Sequence, residues 1–231
     1  MLSAIPYRTM LRSALLTVLC LFGGSLVGGV LGNMLFEALP GHNLLNPSTL
    51  NVILATLPAL AGSLMGSAAW GVQMGRLAQA VDARRMAVAG ALGFAPITFG
   101  LIFLLGALEP VAAKQFGSQL PIHRLFTLMF VPSVFIVASV SAWAIGLGLR
   151  NMALARSLSW RVGLTAALGF LVVNLAMESL GWIVGAPRAA ERFTMLTVLF
   201  AGSLAAALLG GAVMGWTLHA AMAKSTKAAA D

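Results

Sequence analysis

Charge is what this sequence has least of. Only 9% of its 231 residues are Asp, Glu, Lys or Arg, against about 25% in soluble domains. With 60% hydrophobic residues and a mean hydropathy of +0.96, a water-soluble globular domain is excluded and lipid is the relevant solvent. Cysteine is nearly absent. Cys20 alone permits no intrachain disulfide and no CxxC metal or haem-attachment motif, and it is silent about compartment. Histidine is scarce as well: His42, His123 and His219 each fall near a predicted helix end, and no two stand at a metal-ligand spacing. The spans therefore offer no axial histidine to a haem or pigment. No GxSxG, Walker A or dinucleotide motif occurs in a usable context. These absences argue against an enzyme, and no cofactor or metal is expected.

What charge there is has a strong bias. Fourteen basic residues against six acidic ones leave a net charge of +8. The basic residues punctuate hydrophobic runs instead of forming a patch, which reads as membrane topology and not as nucleic-acid binding. Six apolar stretches are long enough to span a hydrocarbon core, near 13–39, 51–75, 86–108, 125–149, 162–184 and 194–218. They are continuous, without the short alternating segments of a membrane β-barrel. The first resembles a signal peptide, with Arg8 and Arg12 ahead of Ser13–Leu31, but its apolar run is too long and no small-residue cleavage site follows. It is expected to stay as the first helix.

Arg8, Arg12, Arg76, Arg84, Arg85, Arg150, Arg156, Arg161, Lys224 and Lys227 fall on one side; Lys114, Arg124, Arg188 and Arg192 fall on the other. Ten against four predicts both termini in the cytoplasm and points to a bacterial inner membrane. The fold expected is an all-α integral membrane protein, a single membrane domain over 1–231 with a short cytoplasmic tail at 223–231.

Within it the sequence repeats. Asn33-Met-Leu-Phe-Glu37-Ala-Leu39 matches Asn174-Leu-Ala-Met-Glu178-Ser-Leu180, and the stretch opening at Arg85 matches the one opening at Arg161, each reaching Ala-Leu-Gly-Phe at Phe94 and Phe170. Pro58 and Pro132 occupy matching places; Gly62-Ser63-Leu64 recurs as Gly202-Ser203-Leu204. The pattern predicts three parallel helical hairpins, 11–80, 85–156 and 161–222, each beginning and ending in the cytoplasm. This gross plan is similar to that of the six-helix substrate-binding components of vitamin transporters, in architecture alone.

Two sets of residues stand out. Gly24, Gly28 and Gly32 form a ridge at intervals of four, with Gly62 and Gly66, Gly71 and Gly75, and Gly211 and Gly215 on other spans. Small residues let helices approach closely in lipid, so these are packing faces, toward the chain itself or toward a partner. Asn174 and Glu178 lie four apart, on one helix face, and Glu178 is read about a turn from the middle of its span. An intramembrane carboxylate is costly and faces a bundle interior or a watery cavity. Asn33, Glu37, Asn174 and Glu178 thus form a candidate polar site, structural or substrate-binding, with Thr98 or Asn33 as expected hydrogen-bond partners of Glu178. Two functions fit. One is a non-enzymatic membrane subunit docking through its glycine faces into a larger complex with other membrane subunits. The other is a small-solute transporter or permease component with its site around Asn174 and Glu178.

Overall fold

The structure is a computed structural model that describes residues 6–38, 49–80, 82–116, 122–180 and 188–228. Among these residues every regular element is helical. The first rod runs through α1 (Tyr7–Thr17), a π-helical turn (Val18–Phe22) and α2 (Gly23–Ala38) without a break. It is followed by α3 (Thr49–Leu77), α4 (Ala83–Phe116), α5 (Ile122–Gly148), α6 (Met152–Ser179) and α7 (Arg188–Ala228). Among the described residues four stretches are long and apolar enough to cross a membrane: Tyr7–Leu31, Thr127–Gly148, Met152–Ser179 and Leu199–Ala223.

The helices outrun the hydropathy that announces them. The fifth apolar stretch starts at 162, but α6 starts at Met152 because the Asn151 side chain accepts from the Leu154 N–H and caps the helix there. Arg156 and Arg161 therefore ride on α6 instead of in a loop; their long stems carry charge outward from a helical backbone. The basic connections shrink to two tight turns of one design. α3 ends with Ala80 N–H on Gly75 O and Gln79 N–H on Arg76 O; α5 ends with Asn151 N–H on Gly146 O and Arg150 N–H on Leu147 O. This is the Schellman pattern, and it sets Gln79 (φ 55°) and Arg150 (φ 58°) in the left-handed region. Asp82 caps α4 as Asn151 caps α6, accepting from the Arg85 N–H at 2.9 Å. The Arg85 guanidinium then crosses to donate to Leu147 O at 2.9 Å, placing positive charge on the carbonyl end of α5.

Successive helices pack side by side, α2 on α3, α3 on α4, α4 on α5, α5 on α6 and α6 on α7, and α1 returns to α7 to close a ring. α3, α5 and α7 also touch one another at its centre. Glycines set the closest approaches. A methyl added at Gly24 would sit 2.6 Å from both Gly62 O and Gly66 Cα; one at Gly211 would sit 2.9 Å from Ala14 Cα, and one at Gly215 2.6 Å from Ser13 Cβ. The ridges of Gly24, Gly28, Gly62 and Gly66 thus interlock between α2 and α3, and Gly211 and Gly215 seat α1 on α7. The surroundings of Gly32 lie outside the described residues.

At the end of the ring that carries the basic turns, Trp70, Met74, Met86, Ile145, Leu158, Met214 and Leu218 form a buried core. A smaller cluster of Ala166, Phe170 and Ala206 lies between α6 and α7. The outer surface is apolar too, with Leu26, Val30, Leu92, Leu168, Val172 and Leu209 all exposed. Soluble monomers rarely expose apolar surface on this scale, so these faces fit a lipid environment.

Candidate functional site

Of the four polar residues singled out in the sequence, two can be placed. Asn174 is 3% exposed on α6, beside Gly202 of α7. Its Nδ2 donates to Phe170 O at 2.7 Å, one turn back, while its Oδ1 is buried with no hydrogen-bond partner. Glu178 sits in the last turn of α6, since that helix ends at Ser179, and so lies further out than the middle of the apolar run suggests. Its Oε1 accepts from Arg124 Nε at 2.7 Å and lies 2.6 Å from Arg124 Nη2, tying the start of α5 to the end of α6. The Thr98 hydroxyl, an expected partner, donates to Phe94 O at 2.8 Å. The side chains of Asn33, Glu37, His42 and His123 lie outside the described residues. His219 is exposed on α7. Arg124 is 57% exposed and Glu178 20%, so this is a partly solvated pair of small energetic weight.

The larger feature was not evident from spacing. A cavity of about 310 Å³ occupies the middle of the ring and is lined by residues of every rod, including Thr17 and Phe22, Trp70, Phe94, Phe130, Val162 and Met214. That volume is at the small end of the ~300–1,000 Å³ typical of small-molecule sites. Among the described residues no charged side chain lines it. Its floor is Trp70 and Met214, which belong to the buried core at the basic end. Among the described residues no three His, Cys, Asp or Glu side chains come together, so the arrangement presents a ligand with hydrocarbon and hydroxyl groups.

Those hydroxyls are held in one particular way. Thr17 Oγ1 donates to Ser13 O at 2.8 Å and accepts from Trp70 Nε1 at 3.0 Å. Ser25 donates to Leu21 O at 2.8 Å and Ser133 to Met129 O at 2.9 Å; Ser141 Oγ lies 2.6 Å from Val137 O and 3.0 Å from Gly93 O. Back-bonding to the preceding helical turn satisfies a hydroxyl inside an apolar span without a partner side chain. It also uses up the proton. What these hydroxyls keep toward the cavity is oxygen lone pairs, while Ser203, also in the wall, keeps its proton. The signal available in the sequence was a Ser or Thr recurring inside apolar spans next to aromatic residues, a pattern too common in membrane helices to single out.

The first rod is re-aimed beside this cavity. π-turns inside α-helices are rare and concentrate at functional sites. Here the turn Val18–Phe22 divides a segment that packs on α7 from one that packs on α3. Thr17, Leu21 and Phe22, at or within the turn, all line the cavity.

The fold and site define a class: an all-helical bundle with membrane-length apolar helices and a central cavity whose described lining is uncharged. Beyond that class, no protein-family model, no curated protein and no solved structure matches the chain.

Proposed function

We propose that the chain is a non-enzymatic membrane protein of six spans that binds a small solute in its central cavity, as a small-solute transporter or permease component. The observation that carries this reading is the 310 Å³ cavity to which every rod contributes. α3 and α4 serve as the two further spans, and both termini and the two Schellman turns face the cytoplasm of a bacterial inner membrane, in keeping with the basic residues there. Three parallel hairpins underlie the ring. Support comes from glycine use that recurs: Gly62 and Gly202 face their own hairpin partners, α2 and α6, while Gly71 and Gly211 face the hairpin that follows, on α4 and α1. Asn174 and the Arg124–Glu178 pair belong to the end of the bundle away from those turns, where a polar group would meet solute on its way to or from the cavity.

The test is chemical. Protein purified in mild detergent is extracted and the extract examined by mass spectrometry, with Ala207→Phe as the control, because Ala207 lines the cavity and a phenyl group there occupies it. A small molecule present in the wild type and missing from the variant is expected. Identical extracts would overturn the reading.

A second reading keeps one observation. Gly29 has nothing within 4 Å, and Leu26, Val27, Val30 and Met34 beside it are exposed. This outward face of α2 is where the chain would dock as a subunit of a larger membrane complex, since the interlocked glycine ridges are already occupied within the chain.

A further inference from the structure

The ring is not equally closed along its length. In the half that carries the basic turns, α1 lies on α7 and completes it. Past the π-turn the rod swings away: α2 packs on α3, and among the described residues no extended contact joins α2 to α7. All the other neighbouring pairs, from α2–α3 round to α6–α7, are packed. The unpacked seam coincides with the cavity, since Phe22 and Ser25 line it from one side and Ser203, Ala206 and Ala207 from the other. An aromatic contact bridges the seam. The rings of Phe22 and Phe200 meet edge to face, centroids 5.7 Å apart and planes at 89°. Phe200 is 56% exposed on the outer surface of α7, at the level of the apolar faces that fit lipid.

The contents of the cavity can be read from what its wall lacks. Among the described residues it holds no cation for a carboxylate or phosphate and no carboxylate for an amine. Five of its six hydroxyl protons are committed to the Ser13, Leu21, Phe94, Met129 and Val137 carbonyls, which leaves lone pairs to accept and only Ser203 to donate. Burial of an ion here would carry the full desolvation penalty with nothing to offset it. An uncharged hydrocarbon body gains from the same wall, and a single hydroxyl on it would find acceptors.

We infer that the cavity takes a lipophilic alcohol, a neutral and largely hydrocarbon molecule with a hydroxyl donor, and that this ligand passes directly between bilayer and cavity through the α2–α7 seam, past the Phe22–Phe200 pair. The inference rests on the solute-binding reading above and specifies the ligand and its route. Such a molecule is already concentrated in the membrane, so a lateral opening spares it a passage through water. The π-turn has a physical part in this: it turns the rod from α7 to α3 and so opens the seam at the depth of the cavity.

The experiment uses the full chain in phosphatidylcholine nanodiscs with anthracenemethanol as the probe, followed by energy transfer from tryptophan, Trp70 being in the cavity wall. Transfer beyond that of empty nanodiscs is expected in the wild type, and its loss in Ala207→Phe. Should that variant fail to fold, Ser203→Leu is the milder obstruction of the same space. Phe200→Ala removes an exposed ring and leaves the bundle intact. Stopped-flow displacement of the probe should then be about two- to tenfold faster than in the wild type, the range that an edge-to-face aromatic pair is worth. Unchanged exchange in Phe200→Ala, with binding still abolished by Ala207→Phe, would overturn the seam as the route and leave the cavity standing. A wild type that shows no specific transfer would overturn the ligand class. If the purified protein then yields a charged solute that Ala207→Phe lacks, solute binding survives, and if the two extracts are identical it falls as well.

Discussion

Alanine in place of Gly28 and of Gly29, one residue apart on α2, should have opposite consequences. A Cβ at Gly28 would stand 2.9 Å from Gly62 Cα and closer still to the Pro58 carbonyl oxygen, while one at Gly29 meets nothing within 4 Å. The obstructing atoms are backbone, so no rotamer can relieve them, and α2 and α3 must part. Separating packed surfaces by ~0.5–1 Å forfeits a quarter to a half of each contact along the seam. Overpacking of this kind costs about 1–3 kcal/mol. Both substitutions gain the same helix propensity over glycine, about 1 kcal/mol, so it cancels in the comparison. Gly28→Ala should therefore be less stable than Gly29→Ala by ~1–3 kcal/mol. Cys20 supplies the assay, because it is the only thiol in the chain and is partly buried, with its carbonyl against Gly66. A fluorogenic maleimide that reacts as the bundle melts would report each variant's stability in detergent. A Gly28→Ala protein as stable as Gly29→Ala would refute the interlocked crossing.

Gln79→Gly and Arg150→Gly should each raise stability by up to about 1 kcal/mol in the same melting assay, because glycine adopts their left-handed backbone without steric cost. Glu178→Gln should be tolerated to within ~1 kcal/mol, since the Arg124 pair is partly solvated; if it folds normally yet loses the extracted solute, Glu178 belongs to the transport path. Asn174→Leu should cost no stability, because it removes a buried oxygen that lacks a partner, and a marked loss on melting would reveal a bond to that oxygen. In a Cys20→Ala background, Ala80→Cys and Lys114→Cys should be labelled from opposite sides of intact cells by an impermeant thiol reagent. Labelling of both from outside would reject the topology.

Much of the fold was legible one helix at a time. Each apolar stretch read from the sequence overlaps a described helix, because hydrocarbon length and backbone self-satisfaction are local demands. Helix ends were less legible. They depend on caps such as Asn151 and on αL residues such as Gln79, which hydropathy does not register. Glu178 shows the same gap: its place in the last turn of α6, and its reach to Arg124, follow from where two helices end and not from its own neighbours.

By itself the sequence determined the solvent, the helical class and which residues are small enough for close crossings, since each of these depends on composition and on spacing along one helix. Only the tertiary structure decided that the glycine ridges meet one another inside the chain, that α1 closes the ring on α7 while α2 leaves it, and that Thr17, Trp70, Phe94, Phe130 and Ser203 surround one space. A helix carries its periodicity in its own residues. The choice of neighbour is made between surfaces far apart in the chain, where many apolar faces are nearly equivalent and backbone clearance selects among them.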